Sequence, residues 1–422
     1  MAAQYKIEPD GSISITLNIK PVGNFLEQEE QIAEAVAEVG RIASELTMKE
    51  YDTDGSPILV NNVKYTSRGL QKKIFQTPWG EISLDRHTYQ SAVGGKLVAP
   101  MDLVCHIIGG GSTPRFAKMV SWKYAQLPAS KVSEDLTMNH LRPTSRHLVQ
   151  DLGASVGDIA LEPDCDWTYD LPPLPAVVTH IAVGRDGTTT PIKKEGYRET
   201  MCGTVSLFDG KGTRMHTIYA AEAPEYGKKT FDDTMDKELQ NVKRLYGGAK
   251  YIGLADGAKG NWTYLEEHER TKVSILDFYH ATEHLSEVST LMHKEEAKRK
   301  EWLKNACHDL KNKPKGAVFI LRELQAQKEK TVGKVPDVLN KNITYFSNNL
   351  KRMNYYDYQK KGYPIGSGVT EAACKVVAKQ RLSGSGMKWT INAAQHTLRL
   401  RGLVCTEGRW EQFWKFIMAK RA

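Results

Sequence analysis

The 422 residues hold six cysteines (Cys105, Cys165, Cys202, Cys307, Cys374 and Cys405) and no Cys-x-x-Cys pair. Spaced so widely, they point to neither a disulfide framework nor a zinc ribbon, and reduced thiols in a cytoplasmic protein are the expectation. The chain lacks any run of about 18 apolar residues, so no membrane-spanning helix is expected and no membrane partner. Its first residues, Met1-Ala2-Ala3-Gln4-Tyr5-Lys6, lead into polar sequence instead of the apolar centre of a secretory signal. Internal repeats and low-complexity tracts are also missing.

Charge is present, and it is unevenly placed. The chain carries a net +8. Residues 281–422 hold 27 Lys and Arg against 13 Asp and Glu, whereas residues 1–280 are net negative. A basic third of a chain is the electrostatic footprint of a polyanion, most often nucleic acid, although a lysine-rich solvated face gives the same count.

At roughly 100–200 residues per domain the length suggests about two to four domains. Residues 1–97 read as a strand, a helix over 25–46 capped by Asn24, and strand segments over 58–66 and 73–86. Residues 98–163 read as helical, and the pair 129–136 and 143–152 resembles a helix-turn-helix whose second helix could enter a major groove. A proline-rich connector follows over 164–176. Beyond it come strands over 177–183, 203–208 and 214–220, a helix over 232–246, a strand over 250–255, a helix over 261–270 and a strand over 272–276. This β-β-β-α-β-α-β order is that of a ribonuclease H-like core, not of a doubly wound nucleotide-binding sheet. Charged helices over 284–310, 316–328 and 337–353 fill residues 281–365, and a last strong helix spans 369–382.

Two carboxylates end predicted core strands, Asp186 in Gly184-Arg185-Asp186-Gly187 and Asp256 in Ala255-Asp256-Gly257. Placed at one sheet edge they require a neutralising cation, and with a third oxygen ligand they suggest Mg²⁺. Asp-Gly is equally a turn dipeptide. Glu371, in Gly366-Ser367-Gly368-Val369-Thr370-Glu371, opens the last helix and shares a stripe with Lys375 and Lys379, as a metal ligand flanked by phosphate contacts would. The plainer reading is a helix-start acid with an i,i+4 Glu–Lys pair. Arg381-Leu382-Ser383-Gly384-Ser385-Gly386-Met387-Lys388-Trp389 combines basic and aromatic residues around a glycine turn, suited to a phosphate backbone and an unpaired base. His280-Ala281-Thr282-Glu283-His284 has the inverted zinc-protease spacing, a competing enzyme hypothesis.

Three segments, 275–285, 366–375 and 381–389, closely resemble bacterial insertion-sequence transposases of the ISKra type. The likeness covers roughly the C-terminal three fifths of the chain. It implies a DDE transposase with a ribonuclease H-like catalytic core, the acidic triad falling on Asp186, Asp256 and Glu371, with Asp209 the rival of Asp186. It also implies Mg²⁺ as cofactor, with Mn²⁺ as substitute, and double-stranded DNA, both transposon ends and target, as partner. A homo-oligomer on DNA and a nucleoid-associated, cytoplasmic location go with it. The long stretch from Asp256 to Glu371 leaves room for a helical insertion over 281–365, with 177–280 and 366–422 forming the core and a basic tail. Lys375, Lys379, Arg381, Lys388 and Trp389 are the expected DNA contacts, and His280 either orients a nucleophile or caps the core at Asp277. The alternatives are a DNA-binding protein without catalysis and a structure-selective nuclease on the same core.

Overall fold

A computed structural model describes residues 3–162, 167–267 and 270–420. The chain is mixed α+β and divides into two units: residues 1–167 with 399–404 and 410–422, and residues 168–398 with 405–409. Residues 164–166 of the expected connector and 268–269 of the helix expected over 261–270 lie outside the described residues.

In the first unit, β1 (Ala3–Ile7) and β2 (Ile13–Leu17) form an antiparallel hairpin where the sequence suggests one strand. Asn24 caps α1 (Phe25–Lys49) in a reciprocal capping box with Glu27, which satisfies two of the helix's orphan N–H groups. A four-stranded antiparallel sheet follows, β3 (Ile58–Val60), β4 (Val63–Thr77), β5 (Gly80–Ser91) and β6 (Gly94–Val98). Helices α2 (Pro100–Val104), α3 (Pro114–Gln126), α4 (Ala129–His140) and α5 (Arg146–Leu161) complete it. The helical core packs Phe116, Val120, Val149, Leu152 and Val156 against Leu400, Leu403, Trp410, Phe413 and Trp414. The segments 399–404 and 410–420 therefore belong here, not with the sheet-bearing core to which their place in the sequence assigns them. Gly153 is required in α5 because a Cβ would collide with the Tyr124 ring.

The second unit is built on β7 (His180–Ile192), β8 (Gly196–Phe208), β9 (Arg214–Glu222), β10 (Lys250–Ala255) and β11 (Val273–Leu276). The sheet order is β11-β10-β7-β8-β9. The first three strands form an antiparallel meander; β10 runs parallel to β7, and β11 parallel to β10. The helices α6 (Lys229–Leu245) and α7 (Lys259–Glu266) connect the later strands. After β11 come α8 (Phe278–Met292), α9 (Glu296–Asn312), α10 (Gly316–Lys330), α11 (Asp337–Asn349) and α12 (Tyr355–Lys360). The single helix expected over 284–310 is thus two. Next is α13 (Gly368–Ala373), which continues through a π-helical Cys374–Lys379 into α14 (Gln380–Leu382), and then α15 (Ile391–Cys405).

Two strands are longer than their sequence signal. Both β7 and β8 have 13 residues, where apolar runs mark only 177–183 and 203–208. The polar residues beyond Gly184 remain in the ladder because helices cover both faces. On one face Arg185 lies over the rings of Phe231 and Tyr264 and pairs with Asp232 at 2.9 Å. Desolvation of that guanidinium is offset by its carboxylate and by two π faces. On the other face the chain carries Asp186.

Candidate active site

Asp186 lies within β7, not after it, directly opposite Cys202 of β8. The parallel pairing of β10 with β7 reaches Leu254 opposite Gly184. Two residues further along, that register brings Asp256 level with Asp186. The α13 helix crosses the same face. Its Thr370 hydroxyl meets that of Thr204 at 2.8 Å above Gly184, where a Cβ would collide with it. Glu371 follows immediately and projects from the first turn.

A cavity of about 590 Å³ opens between these elements, lined by Asp186, Gly187, Glu371, Cys374, Lys375 and Lys379. Burial is the main cause that pushes the Asp186 carboxyl above the usual carboxylate range, with the charges of Asp256 and Glu371 adding to it; the Gly187 N–H and the Cys374 thiol work the other way. Cys374 Sγ donates to Asp186 Oδ2 at 3.6 Å. The Cys374 thiol is itself raised, by its hydrogen bond with Cys202 and by burial, and so stays neutral. Asp256 Oδ1 accepts from the Ala258 N–H at 3.0 Å and the Asn261 amide at 3.1 Å. Among the described residues, no three His, Cys, Asp or Glu side chains already stand as a metal-binding group. Asp256 and Glu371 both lie near enough to Asp186 for their charges to raise its carboxyl.

Glu371 is held from behind. Asp277, wholly buried at the end of β11, caps α8 by accepting the His280 N–H at 2.6 Å. Its other oxygen accepts the Ser367 N–H. The Ser367 hydroxyl in turn donates to Glu371 Oε1 at 2.7 Å. Two backbone turns and one hydroxyl therefore fix the third acid to the end of the sheet. The sequence marks Asp277 only as a cap and does not single out Ser367, Cys374 or Thr370. The one signal it offers for Ser367 is a place between two glycines before a helix.

The remaining residues divide clearly. Lys375 and Lys379 are exposed on the stripe of Glu371, and Lys388 is exposed. Arg381 is only 2% exposed and lies over the Trp389 ring at 4.9 Å. Trp389 is itself fastened: its indole donates to the Leu382 carbonyl at 2.8 Å, and its backbone bridges Pro191 and Lys193 at the end of β7. The expected phosphate contact by Arg381 and base stacking by Trp389 are thus corrected to a clip that closes the loop onto the sheet. Asp209 sits outside the site; its Oδ1 accepts the N–H groups of Lys211 and Thr213 in a turn.

His284 reaches the Asp256 turn through Tyr345. The His284 ring stacks on Tyr345 at 3.6 Å, and the Tyr345 hydroxyl donates to the Asp256 carbonyl at 3.3 Å. His284 Nδ1 bonds to Asn342 Oδ1 at 2.9 Å, and His280 Nδ1 pairs with Glu283 at 3.3 Å. In the zinc reading of this motif His280 and His284 would both have to turn toward one ion, and here each has a separate partner. Compared with models of known protein families the chain matches none, and comparison with curated proteins finds no match either.

The electrostatics give a direct test. A carboxyl with a raised pKa holds its proton more tightly in the folded state, so its contribution is fully present at low pH and is lost as pH rises through its folded pKa. Asp186→Asn removes that loss. Without divalent metal, its melting temperature at neutral pH is expected to exceed that of the wild type, and the two should converge at low pH. Equal melting at neutral pH would show that Asp186 is well solvated.

Proposed function

We propose that this protein is a DDE transposase of an insertion sequence, a metal-dependent polynucleotidyl transferase acting on double-stranded DNA. The observation that carries the reading is that Asp186 and Glu371 line one cavity with Lys375 and Lys379 on its wall, while Asp256, at the end of the neighbouring parallel strand, lies near enough for its charge to act on Asp186. The strand order 3-2-1-4-5 of an antiparallel meander followed by two parallel strands supports a ribonuclease H-like core. On this reading the helices α8 to α12 between β11 and α13 are the insertion, and α4 with α5 the helix-turn-helix-like region.

The residues suit a hard divalent cation. Asp186 is pushed toward its neutral form by burial and by two like charges, a situation that a bound cation relieves. Asp256 offers its second oxygen, which has no protein partner among the described residues. The donors are oxygens, and the Cys374 thiol that touches Asp186 is protonated, which favours Mg²⁺ or Mn²⁺ over softer ions. Asp186, Asp256 and Glu371 would hold such an ion, which would supply Lewis-acid chemistry at the scissile phosphate. The chain itself does the positioning. Lys375 and Lys379 hold phosphates beside the acids, Ser367 and Asp277 fix Glu371, and Tyr345 steadies the Asp256 turn.

Incubating the full chain with duplexes carrying the inverted repeats that flank its gene tests the proposal. Mg²⁺-dependent cleavage and joining of those ends are expected. Cleavage without joining would leave a nuclease, and binding without either a DNA-binding protein. Charge reversal at Lys375 and Lys379 should flatten the plot of log K against log salt, its slope falling by about 1 for each phosphate no longer neutralised. An unchanged slope would place both lysines away from the phosphates.

A further inference from the structure

The first unit carries a groove that the catalytic reading does not use, of about 710 Å³. Val36 and Ala37 of α1 form one wall, and Met119 and Trp122 of α3 the other; Trp79, at the β4–β5 turn, closes one end. Trp79 lies flat on α1 because residue 40 is glycine, where a Cβ would collide with the indole. Even so, Trp79 remains 44% exposed and Trp122 43%. The rim is basic. Helix α3 bears Arg115, Lys118 and Lys123 and no acid. Lys118 pairs with Glu411 and Lys123 with Asp135, while Arg115 has no carboxylate partner among the described residues.

The complementary surface is on the same helix α1. Phe25 is 72% exposed and Leu26 64%, the largest apolar side chains at its N-terminal end. Residues 21–40 contain five glutamates and no lysine or arginine. An apolar, acidic helix end and an apolar, basic groove thus share one rigid rod.

We propose that two copies of this chain pair antiparallel along α1, with Phe25 and Leu26 of each seated in the groove of the other. About a twofold axis level with residue 31, on the helix face opposite the Gln31 side chain, residue 26 faces 36 and residue 25 faces 37. The helix fixes these points about 15–18 Å apart, at 1.5 Å per residue, so both contacts form at once. That self-complementarity is what a closed, isologous dimer requires. In that register Glu29 faces Ala33 of the partner, which lines the groove with Arg115, the one rim cation without a carboxylate partner among the described residues, and this attraction strengthens the pairing at low salt.

Sedimentation equilibrium of the full chain, without DNA or metal, tests the pairing independently of any transposase activity. The wild type is expected to be a dimer at micromolar concentration. Phe25→Asp and Trp122→Ala, both at exposed positions, should each weaken it by about tenfold or more, with unchanged circular dichroism. Mixing the two variants is the sharper arm. Their heterodimer retains one intact Phe25–Trp122 contact and should form in preference to either variant homodimer. A monomeric wild type, including one whose groove instead takes single-stranded DNA or an unrelated protein, overturns the pairing. A dimer that survives Phe25→Asp does so as well.

Discussion

On the proposed function, Glu371→Gln is expected to abolish Mg²⁺-dependent strand cleavage and joining while leaving the fold and specific DNA binding intact; the same loss is expected of Asp186→Asn and Asp256→Asn. Each amide keeps the shape of its acid and removes one of the charges that hold the cation. The three positions are far apart in sequence, so one shared phenotype requires one shared site. A loss on the order of 10³-fold or more is expected, because a missing ligand removes electrostatic stabilisation made only in the transition state. Were Asp256 only a turn residue and Glu371 only a helix-start acid, replacement would cost about 0.5–2 kcal/mol of stability, and activity would fall only as far as folding did. Gel assays of end cleavage beside thermal melts separate the two. Substantial cleavage by Glu371→Gln in Mg²⁺ removes Glu371 from the site.

The second large effect lies behind the acids. Ser367→Ala deletes the hydroxyl that donates to Glu371 Oε1 and leaves the backbone contact to Asp277. A glutamate free to turn through its rotamers spends less time in the productive geometry, and about 10²-fold in kcat is expected for a displacement of that size. Substrate affinity should be unchanged, since Ser367 is buried and its hydroxyl is already given to Glu371. Ser367→Thr retains the hydroxyl and should recover most of the rate. Asp277→Ala is harsher: it removes the α8 cap, worth about 1 kcal/mol, and strands the buried Ser367 N–H, worth about 1–3 kcal/mol. If Ser367→Ala changes KM instead of kcat, or Ser367→Thr fails to rescue, the relay does not position Glu371.

Much of the second unit is legible because its signals are local. The strand at Lys250–Ala255 matches its apolar run residue for residue, since Asp256 and Gly257 end it abruptly. The long hairpin is not legible beyond Val183. A strand's extent there depends on what covers it, and Arg185 finds its carboxylate on α6, two strands further along the chain. The Asp186–Asp256 neighbourhood can be guessed from two strand ends, but the choice of Asp186 over Asp209 needs the register. Arg381 misleads for a physical reason. Arg beside Trp looks the same in sequence whether the pair meets a nucleic acid or each other, and here the guanidinium lies on the indole inside the protein. Ser367 and Cys374 are small polar residues whose meaning comes only from the long-range contacts that place them.

The helical core of the first unit has a consequence for how the molecule is made. Trp410, Phe413 and Trp414 fill the same buried cluster as Phe116 and Val149, from the opposite end of the sequence. A chain emerging from the ribosome cannot close that cluster until residues 410–417 are out, so the helices over 114–161 wait unfinished until then. A chain cut short before residue 410 leaves that core open and exposes Phe116, Val120 and Val149, the kind of apolar surface through which unfinished chains aggregate.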